Sequence, residues 1–212
     1  MPPANHSENL EMAFAARGNA ALEARYDAWA KNYDADNAAL GFRLPVLVSA
    51  FFARWVAMEG GPILDAGCGT GLAAESLSIL GYRRLVGIDL SMRMLEEAHK
   101  TGVYEILHRM VLGDALDFPT DTFAATIATG VFTEGHAPST SFEELIRVTR
   151  GGGHIIFNVR DDIYENGGFR DRQEQLESDG FWRLIEKSDR FRPFTEKDAN
   201  VIARVFVYEV ET

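Results

Sequence analysis

ILDAGCGTG, residues 63–71, sets three glycines at alternate positions directly after a short apolar run. The run 63–66 reads as a strand and the stretch 72–80 as a helix, so the glycines fall on a strand-to-helix turn. Gly67, Gly69 and Gly71 permit positive φ and remove the Cβ atoms that hold a ligand off the backbone. In an open parallel sheet, ligands lie beyond the carboxyl ends of the strands where the winding direction reverses, and the turn after the first strand usually sits there. The stretch therefore predicts a ligand drawn against bare backbone.

The surrounding chain supports that reading. Short apolar runs at 63–66, 85–88, 110–112, 123–129 and 154–159 alternate with helical stretches at 72–80, 92–101 and 142–149. Ser141 and Glu144 have the spacing of a capping box at the start of the last helix. Such alternation predicts an α/β fold, a parallel sheet covered by helices on both faces. Two further strand candidates, 182–187 and 201–210, have no helix between them and predict an antiparallel hairpin at one sheet edge. About 60 residues of helix precede the first strand. Leu22, Tyr26, Trp29 and Tyr33 form one apolar stripe, and Leu44, Leu47, Phe51, Trp55 and Met58 a second. Residues 1–18 are expected to be loosely docked or partly disordered. The expected organisation is one domain over 1–212, with a helical cap segment at 1–60 and the sheet core at 61–212.

Composition narrows the function. A chain of 212 residues, 46% of them apolar, suits one domain with a sizeable core. Its 32 acids against 21 bases give a net charge of -11. Nucleic acid and anionic membranes call for a positive surface, so neither is an expected partner. Cys68 is the single cysteine, which excludes an internal disulfide and a thiolate metal cluster. With no signal peptide pattern at the start and no apolar run of about 18 residues, the expectation is a soluble protein of the reducing cytoplasm.

Three ligands compete for the turn. A P-loop needs a lysine at its end, and the chain has none between Lys31 and Lys100. A dinucleotide fingerprint counted from Gly67 meets Leu72 where its third glycine belongs. The pattern is instead D-x-G-x-G-x-G, with Asp65 in the strand; a carboxylate there repels a pyrophosphate and suits a cationic ligand. Asp89, 24 residues on in VGIDLS, ends the second strand and can take both hydroxyls of a ribose. Asp114, in VLGDALDFP, follows the third strand candidate, where it can accept from an adenine amino group while the Ala115 N–H meets a ring nitrogen. Singly each acid is as readily a helix cap or a solvated loop; together they describe a nucleoside with positive charge and no phosphate.

These residues resemble the class I S-adenosylmethionine-dependent methyltransferases. ILDAGCGTG is similar to that family's first motif, GIDLS to its ribose-binding acid, GDALDFP to its adenine contact, and IRVTRGGGHIIFNV to its glycine turn and fifth strand. YDAWAKNYD, LGFRLP, GVFTEGHAP and FRDRQEQLESDGFW resemble a narrower group, the methyltransferase-like proteins of the Williams–Beuren syndrome chromosomal region and their bacterial relatives. The resemblance implies a Rossmann-like, seven-stranded, mostly parallel sheet and the cofactor S-adenosyl-L-methionine, released as S-adenosyl-L-homocysteine. It implies that Asp65, Ala66, Gly67 and Gly69 line the methionine part, Asp89 and Leu90 the ribose and adenine face, and Asp114 and Ala115 the adenine edge. Thr129 and Gly130 would face the amino-acid end, and Tyr26 and Tyr33 would roof the site. Ala124 and Gly151 depart from the family pattern without removing a cofactor contact.

Methyl transfer from a sulfonium chiefly needs the acceptor aligned with the methyl carbon; a base is needed only where the acceptor must lose a proton. His136, in the loop after the fourth strand, is the candidate base, against the plain alternative of a loop histidine. Arg160 can meet an acidic substrate or pair with Asp161 or Asp162, and Tyr164 and Phe132 can line the pocket or fill the core. Asp161 and Asp162 find no third ligand nearby, so no metal is expected. N-P-P-[YF], the mark of amide or base amino methylation, is absent. The expected partner is a small-molecule methyl acceptor, on a monomer or homodimer. The alternatives are a cofactor-binding module serving a protein partner and, disfavoured by Leu72, a dinucleotide oxidoreductase.

Overall fold

All four residues of β1 (Ile63–Ala66) are buried, which puts this apolar run at the centre of a sheet covered on both faces. The structure, a computed structural model, describes residues 6–196 and 201–212. β2 (Leu85–Asp89) and β4 (Phe123–Phe132) flank β1, both parallel to it. β3 (Tyr104–Arg109) lies outside β2, and β5 (Thr149–Arg160) outside β4, again parallel. Then β7 (Ala203–Val210) joins β5 antiparallel, and β6 (Trp182–Lys187) joins β7 antiparallel as the edge. The order is β3-β2-β1-β4-β5-β7-β6. The winding reverses between β1 and β4, so the crevice opens beyond the carboxyl ends of those two strands.

Alternate residues of the strands divide the core between the two faces. On one face Ile63, Ile127, Ile156 and Val207 meet Val48 and Phe52 of α3 (Leu44–Trp55) and Leu77 of α4 (Leu72–Ile79). On the other, Leu64, Ile88, Ile155 and Phe157 meet Phe142 and Leu145 of α6 (Ser141–Val148) and Leu176 of α8 (Phe169–Ser178). Each fully buried side chain of this size contributes about 1.5–3 kcal/mol. α5 (Met92–Thr101) sets Leu95 and Ala98 against Cys68, Tyr104 and Leu107. α7 (Asp161–Asn166) follows β5 directly.

α2 (Asn19–Ala39) is tied across the strand ends. Glu23 holds Arg109 at the end of β3, Asp27 accepts from Ser91 at the head of α5, and Asp34 accepts from Thr70 in the glycine turn. Twenty-one residues of helix reach about 30 Å, enough to roof the crevice from β3 to β1.

Several expectations change. Instead of a loose N-terminus, α1 (His6–Ala15) is a helix whose Asn9 Nδ2 donates to Asp36 Oδ2 at 2.9 Å; residues 1–5 lie outside the described residues. α3 is not part of the roof but a sheet-facing helix. Its buried face is Leu44, Val48 and Phe52 rather than Leu44, Leu47 and Phe51, and Trp55 and Met58 are exposed. LPVLVSAFFARW is apolar almost all round, so periodicity alone does not choose between neighbouring stripes. The third strand is Tyr104–Arg109, not 110–112: it is a polar, half-exposed edge that lacks an apolar run. The capping box does not form. Thr140 precedes α6 without a side-chain cap, the Ser141 hydroxyl is buried without a partner, and Glu144 turns away to accept from Leu116 N. α7 and α8 escape notice in the sequence because Tyr164, Phe169 and Leu176 are their few buried apolar residues among many charges.

Candidate active site

The glycine turn is bent over the end of β2. Gly67 N and Cys68 N both donate to Ile88 O, at 2.8 and 2.9 Å. Gly67 and Gly69 have φ of 76° and 55°, the left-handed region that glycine occupies without strain. A Cβ at Gly67 would stand 2.4 Å from Val131 Cγ2, whereas one at Gly69 would meet nothing within 4 Å. The first glycine is required by packing; the second leaves open space on the ligand side. Cys68 packs beneath the turn against α5.

Two acids stand buried beside this turn. Asp89 Oδ2 accepts from Gly69 N and Oδ1 from Ser91 N, both at 2.9 Å. Burial raises its pKa to about 6, against the lowering effect of those two N–H groups. Asp65 Oδ2 accepts from Tyr104 Oη at 2.7 Å, and Oδ1 has no partner. Burial raises the Asp65 pKa to about 7, with the Tyr104 bond opposing and the Asp89 charge assisting. An orphaned buried carboxylate oxygen is costly unless a cation or donor arrives to meet it.

Three cavities share walls here. A cleft of about 680 Å³ is lined by Asp89, Leu90, Met94, Met110, Leu112, Gly130 and His136, among others. A space of about 340 Å³ lies along Asp65, Gly67, Cys68, Gly69 and Thr70. One of about 510 Å³ lies between Trp29, Phe42, Leu44, Asn158, Arg160 and Phe194. Tyr33 lines all three, Thr129 the first two, and Tyr26 and Gly130 the first and last. Gly130 N donates to Asn158 Oδ1 at 2.8 Å, fixing the backbone where β4 passes the cleft. Tyr26 Oη lies 2.7 Å from His136 Nε2, and His136 Nδ1 lies 2.8 Å from Glu134 O. Burial lowers the His136 pKa, which keeps the ring neutral at pH 7.

Of the residues singled out in the sequence, Tyr26, Tyr33, Gly67, Gly69, Asp89, Leu90, Thr129, Gly130 and His136 line the main cleft, and Asp65 the space that adjoins it. Ala66 is buried behind the turn. Asp114 and Ala115 are exposed and outside the lining, because β3 ends at Arg109 and leaves them on a turn beyond. The apolar run Met110–Leu112, expected as a strand, forms cleft wall instead. Phe132 and Tyr164 belong to the core: Phe132 packs on Phe142 and Phe157, Tyr164 on Phe206. Asp162 accepts from Arg160 and Asp161 from Arg204. Asn158, Asp27, Asp34 and Thr70 were not given roles from the sequence. A polar side chain inside the apolar run HIIFNV was the visible signal for Asn158.

Residues 64–157 match the methyltransferase-domain family. Human methyltransferase-like protein 27 is 35% identical over 165 residues, covering 74% of this chain and 66% of that protein. Two solved structures share the fold with a TM-score of 0.66 and 17% identity. One is a chain from the complex of the Haloferax volcanii Trm112 methyltransferase activator with a methyltransferase (90% of this chain, 97% of that one); the other is a TehB-like SAM-dependent methyltransferase of Corynebacterium glutamicum (89% and 99%). The chain spans less than two thirds of the length of the curated relatives it matches. Fold and crevice together define a Rossmann-like methyltransferase domain. Residues 64–157 are a methyltransferase domain, and the chain is similar to the class I S-adenosylmethionine-dependent methyltransferases, against the dinucleotide oxidoreductase reading.

The residues present fit that family's cofactor. The orphaned Asp65 Oδ1 complements an ammonium, Gly69 leaves room for a ligand against the backbone, and Asp89 offers a buried acceptor beside the apolar wall of Met94, Met110 and Leu112. Among the described residues lining the main cleft there is no lysine or arginine, as suits a ligand without phosphate. No helix among the described residues is long and apolar enough to cross a membrane.

Proposed function

We propose that this chain transfers the methyl group of S-adenosyl-L-methionine to a small molecule held in its own crevice. The observation that carries the reading is the meeting of three cavities at Tyr33: one beside Asp89, one beside Asp65, and one with a mostly apolar wall. Asp89 binds the ribose hydroxyls, with Leu90, Met110 and Leu112 against the adenine. Asp65 and the backbone at Gly67, Gly69, Thr129 and Gly130 take the amino-acid end. The cofactor supplies an electrophilic methyl group on a sulfonium. Tyr26 and Tyr33 close the roof, exclude water and present their rings where the charge is discharged; His136 is held at the mouth by Glu134 O. The free thiol of Cys68, buried under the turn, suits a reducing cytoplasm.

Titration calorimetry on the purified chain tests this. S-Adenosyl-L-methionine is expected to bind in the micromolar range. Absence of heat across buffers and temperatures would remove the assignment.

The likeness to a chain held in a complex with a methyltransferase activator favours one further reading, a subunit that needs a partner protein. Methyl transfer by the chain alone decides between the two.

A further inference from the structure

The cavity between Trp29, Phe42, Leu44 and Phe194 touches the cofactor cleft through Tyr26, Tyr33 and Gly130. Most of the polar side chains on its wall are held by protein partners. Asn158 Oδ1 accepts from Gly130 N, Asn37 Nδ2 donates to Tyr33 O, and Trp29 Nε1 donates to Asp36 Oδ2, at 2.8–2.9 Å. The Arg160 guanidinium is clamped by both oxygens of Asp162, at 2.7 and 2.5 Å. A carboxylate entering here would compete with that clamp, and a cation would face the guanidinium. The walls therefore suit a neutral apolar molecule.

Tyr26 lines both this space and the cofactor cleft, and the hydrogen bonds around it fix where its proton lies. A backbone carbonyl only accepts, so His136 Nδ1, 2.8 Å from Glu134 O, carries the ring proton. His136 Nε2 is then bare and accepts the Tyr26 hydroxyl proton at 2.7 Å. Tyr26 Oη, its own proton spent, is left as an acceptor between the two cavities. The matching ligand group is a hydroxyl donor.

Resting on the proposed function, we infer that this cavity seats a neutral, apolar acceptor whose single hydroxyl donates to Tyr26 Oη and is methylated on oxygen. The hydroxyl oxygen bonds the methyl carbon as the carbon–sulfur bond breaks, its electron pair going to sulfur. The hydroxyl proton passes to Tyr26 while the Tyr26 proton passes to His136 Nε2. The products are a methyl ether, a neutral thioether and an imidazolium held by Glu134 O. Tyr26 is the catalytic residue; His136 acts through it as a positioning residue and proton store.

The test uses the full chain saturated with S-adenosyl-L-homocysteine at about pH 6, where the phenol keeps its proton, and three probes: 4-nitrophenol, nitrobenzene and 4-nitrobenzoate. The phenol is expected to bind at least tenfold more tightly than the benzoate. In Tyr26→Phe and in His136→Ala the phenol should lose about fivefold, the worth of one hydrogen bond, while nitrobenzene holds within twofold. Thr133→Trp, which fills the cavity from its rim, should weaken both neutral probes at least tenfold, with circular dichroism reporting the fold. Nitrogen NMR of ring-labelled histidine should show a bare, accepting Nε2 on His136 that responds to the phenol and not to nitrobenzene. Equal losses for the two neutral probes, preference for the benzoate, or binding untouched by Thr133→Trp would overturn the inference. Failure to bind S-adenosyl-L-homocysteine at all would overturn the function itself; binding it while ignoring every probe would overturn only the acceptor seat.

Discussion

Asp34 accepts a hydrogen bond from Thr70 Oγ1 at 2.6 Å, joining the roof helix to the glycine turn. One helical repeat earlier, Asp27 does the same with Ser91 Oγ, also at 2.6 Å. Seven residues apart, the two acids lie on one face of α2. Ser91 is at once the N-cap of α5, accepting from Met94 N. The roof is thus fastened to the residues that lead into two sheet-covering helices, next to both buried carboxylates.

Loss of either fastening should loosen the roof without unfolding the sheet. Asp27→Ala and Asp34→Ala are each expected to cost about 1 kcal/mol locally. Hydrogen exchange should show α2 amides exchanging about fivefold faster in each variant, and roughly 25-fold faster in the double variant if the two act independently. Amides of β4 and β5 should not change. Equal acceleration in the core would mean that the two acids support the whole fold.

The two acids expected from the sequence to hold the nucleoside should separate cleanly. Asp89 is buried and faces the cleft, whereas Asp114 is exposed on the turn after β3. Asp89→Ala is expected to weaken S-adenosyl-L-methionine at least tenfold, since a charge-assisted bond in a dry site is worth about 1.5–3 kcal/mol. Asp114→Ala should cost at most about fivefold, the value of an exposed neutral contact. Calorimetry on both variants is the check; comparable losses would show that the turn closes over the adenine on binding.

This contrast marks where the sequence was readable. β1 and β2 announce themselves because they are buried on both faces, so apolar runs are obligatory there, and the glycine turn because its backbone takes left-handed φ that small residues tolerate. β3 is an edge that pairs only with β2; its ladder tolerates Glu105, His108 and Arg109, and no apolar pattern survives to mark it. Asp114 was misplaced by the same error, being counted from a strand that is cleft wall. Glu144 sat at cap spacing, but Leu116 N and Arg147 offered it partners 28 and 3 residues away, the first invisible to local spacing. The His136–Tyr26 bond spans 110 residues, so its two members were named separately and their contact was not.

The two glycines of the turn should fail in different ways. In Gly67→Ala the new Cβ would stand 2.4 Å from Val131 Cγ2 at a φ of 76°. The left-handed backbone alone costs roughly 1–2 kcal/mol for an L-residue, and the clash adds to it. Gly69→Ala carries the backbone cost only, with nothing within 4 Å of the Cβ. Urea unfolding should show the first variant less stable than the second by at least about 1 kcal/mol. Cofactor affinity should instead fall markedly in Gly69→Ala, whose methyl group would occupy the ligand's space.

Asp65 makes the fold sensitive to pH, with a sign that burial fixes. An ordinary aspartate ionises near 3.8, whereas Asp65 in the folded chain holds its proton up to about 7. Between those values the folded state binds the proton that the unfolded chain has released. Its contribution to stability is therefore greatest below pH 4, declines as pH rises to about 7, and is level above. Asp65→Asn keeps an acceptor for Tyr104 Oη and supplies a neutral amide where Oδ1 has no partner. The melting temperature of the ligand-free variant should exceed that of the parent at pH 8 by on the order of 5 °C, and the gap should close at pH 4. Binding of an ammonium-bearing cofactor should reverse this, since the cation drives Asp65 to ionise. Calorimetry at pH 6 in buffers of different ionisation heat should then detect release of about one proton in the parent and none in the variant, whose affinity falls at least tenfold. Proton release that persists in Asp65→Asn would assign the effect to Asp89, whose pKa of about 6 lies closest.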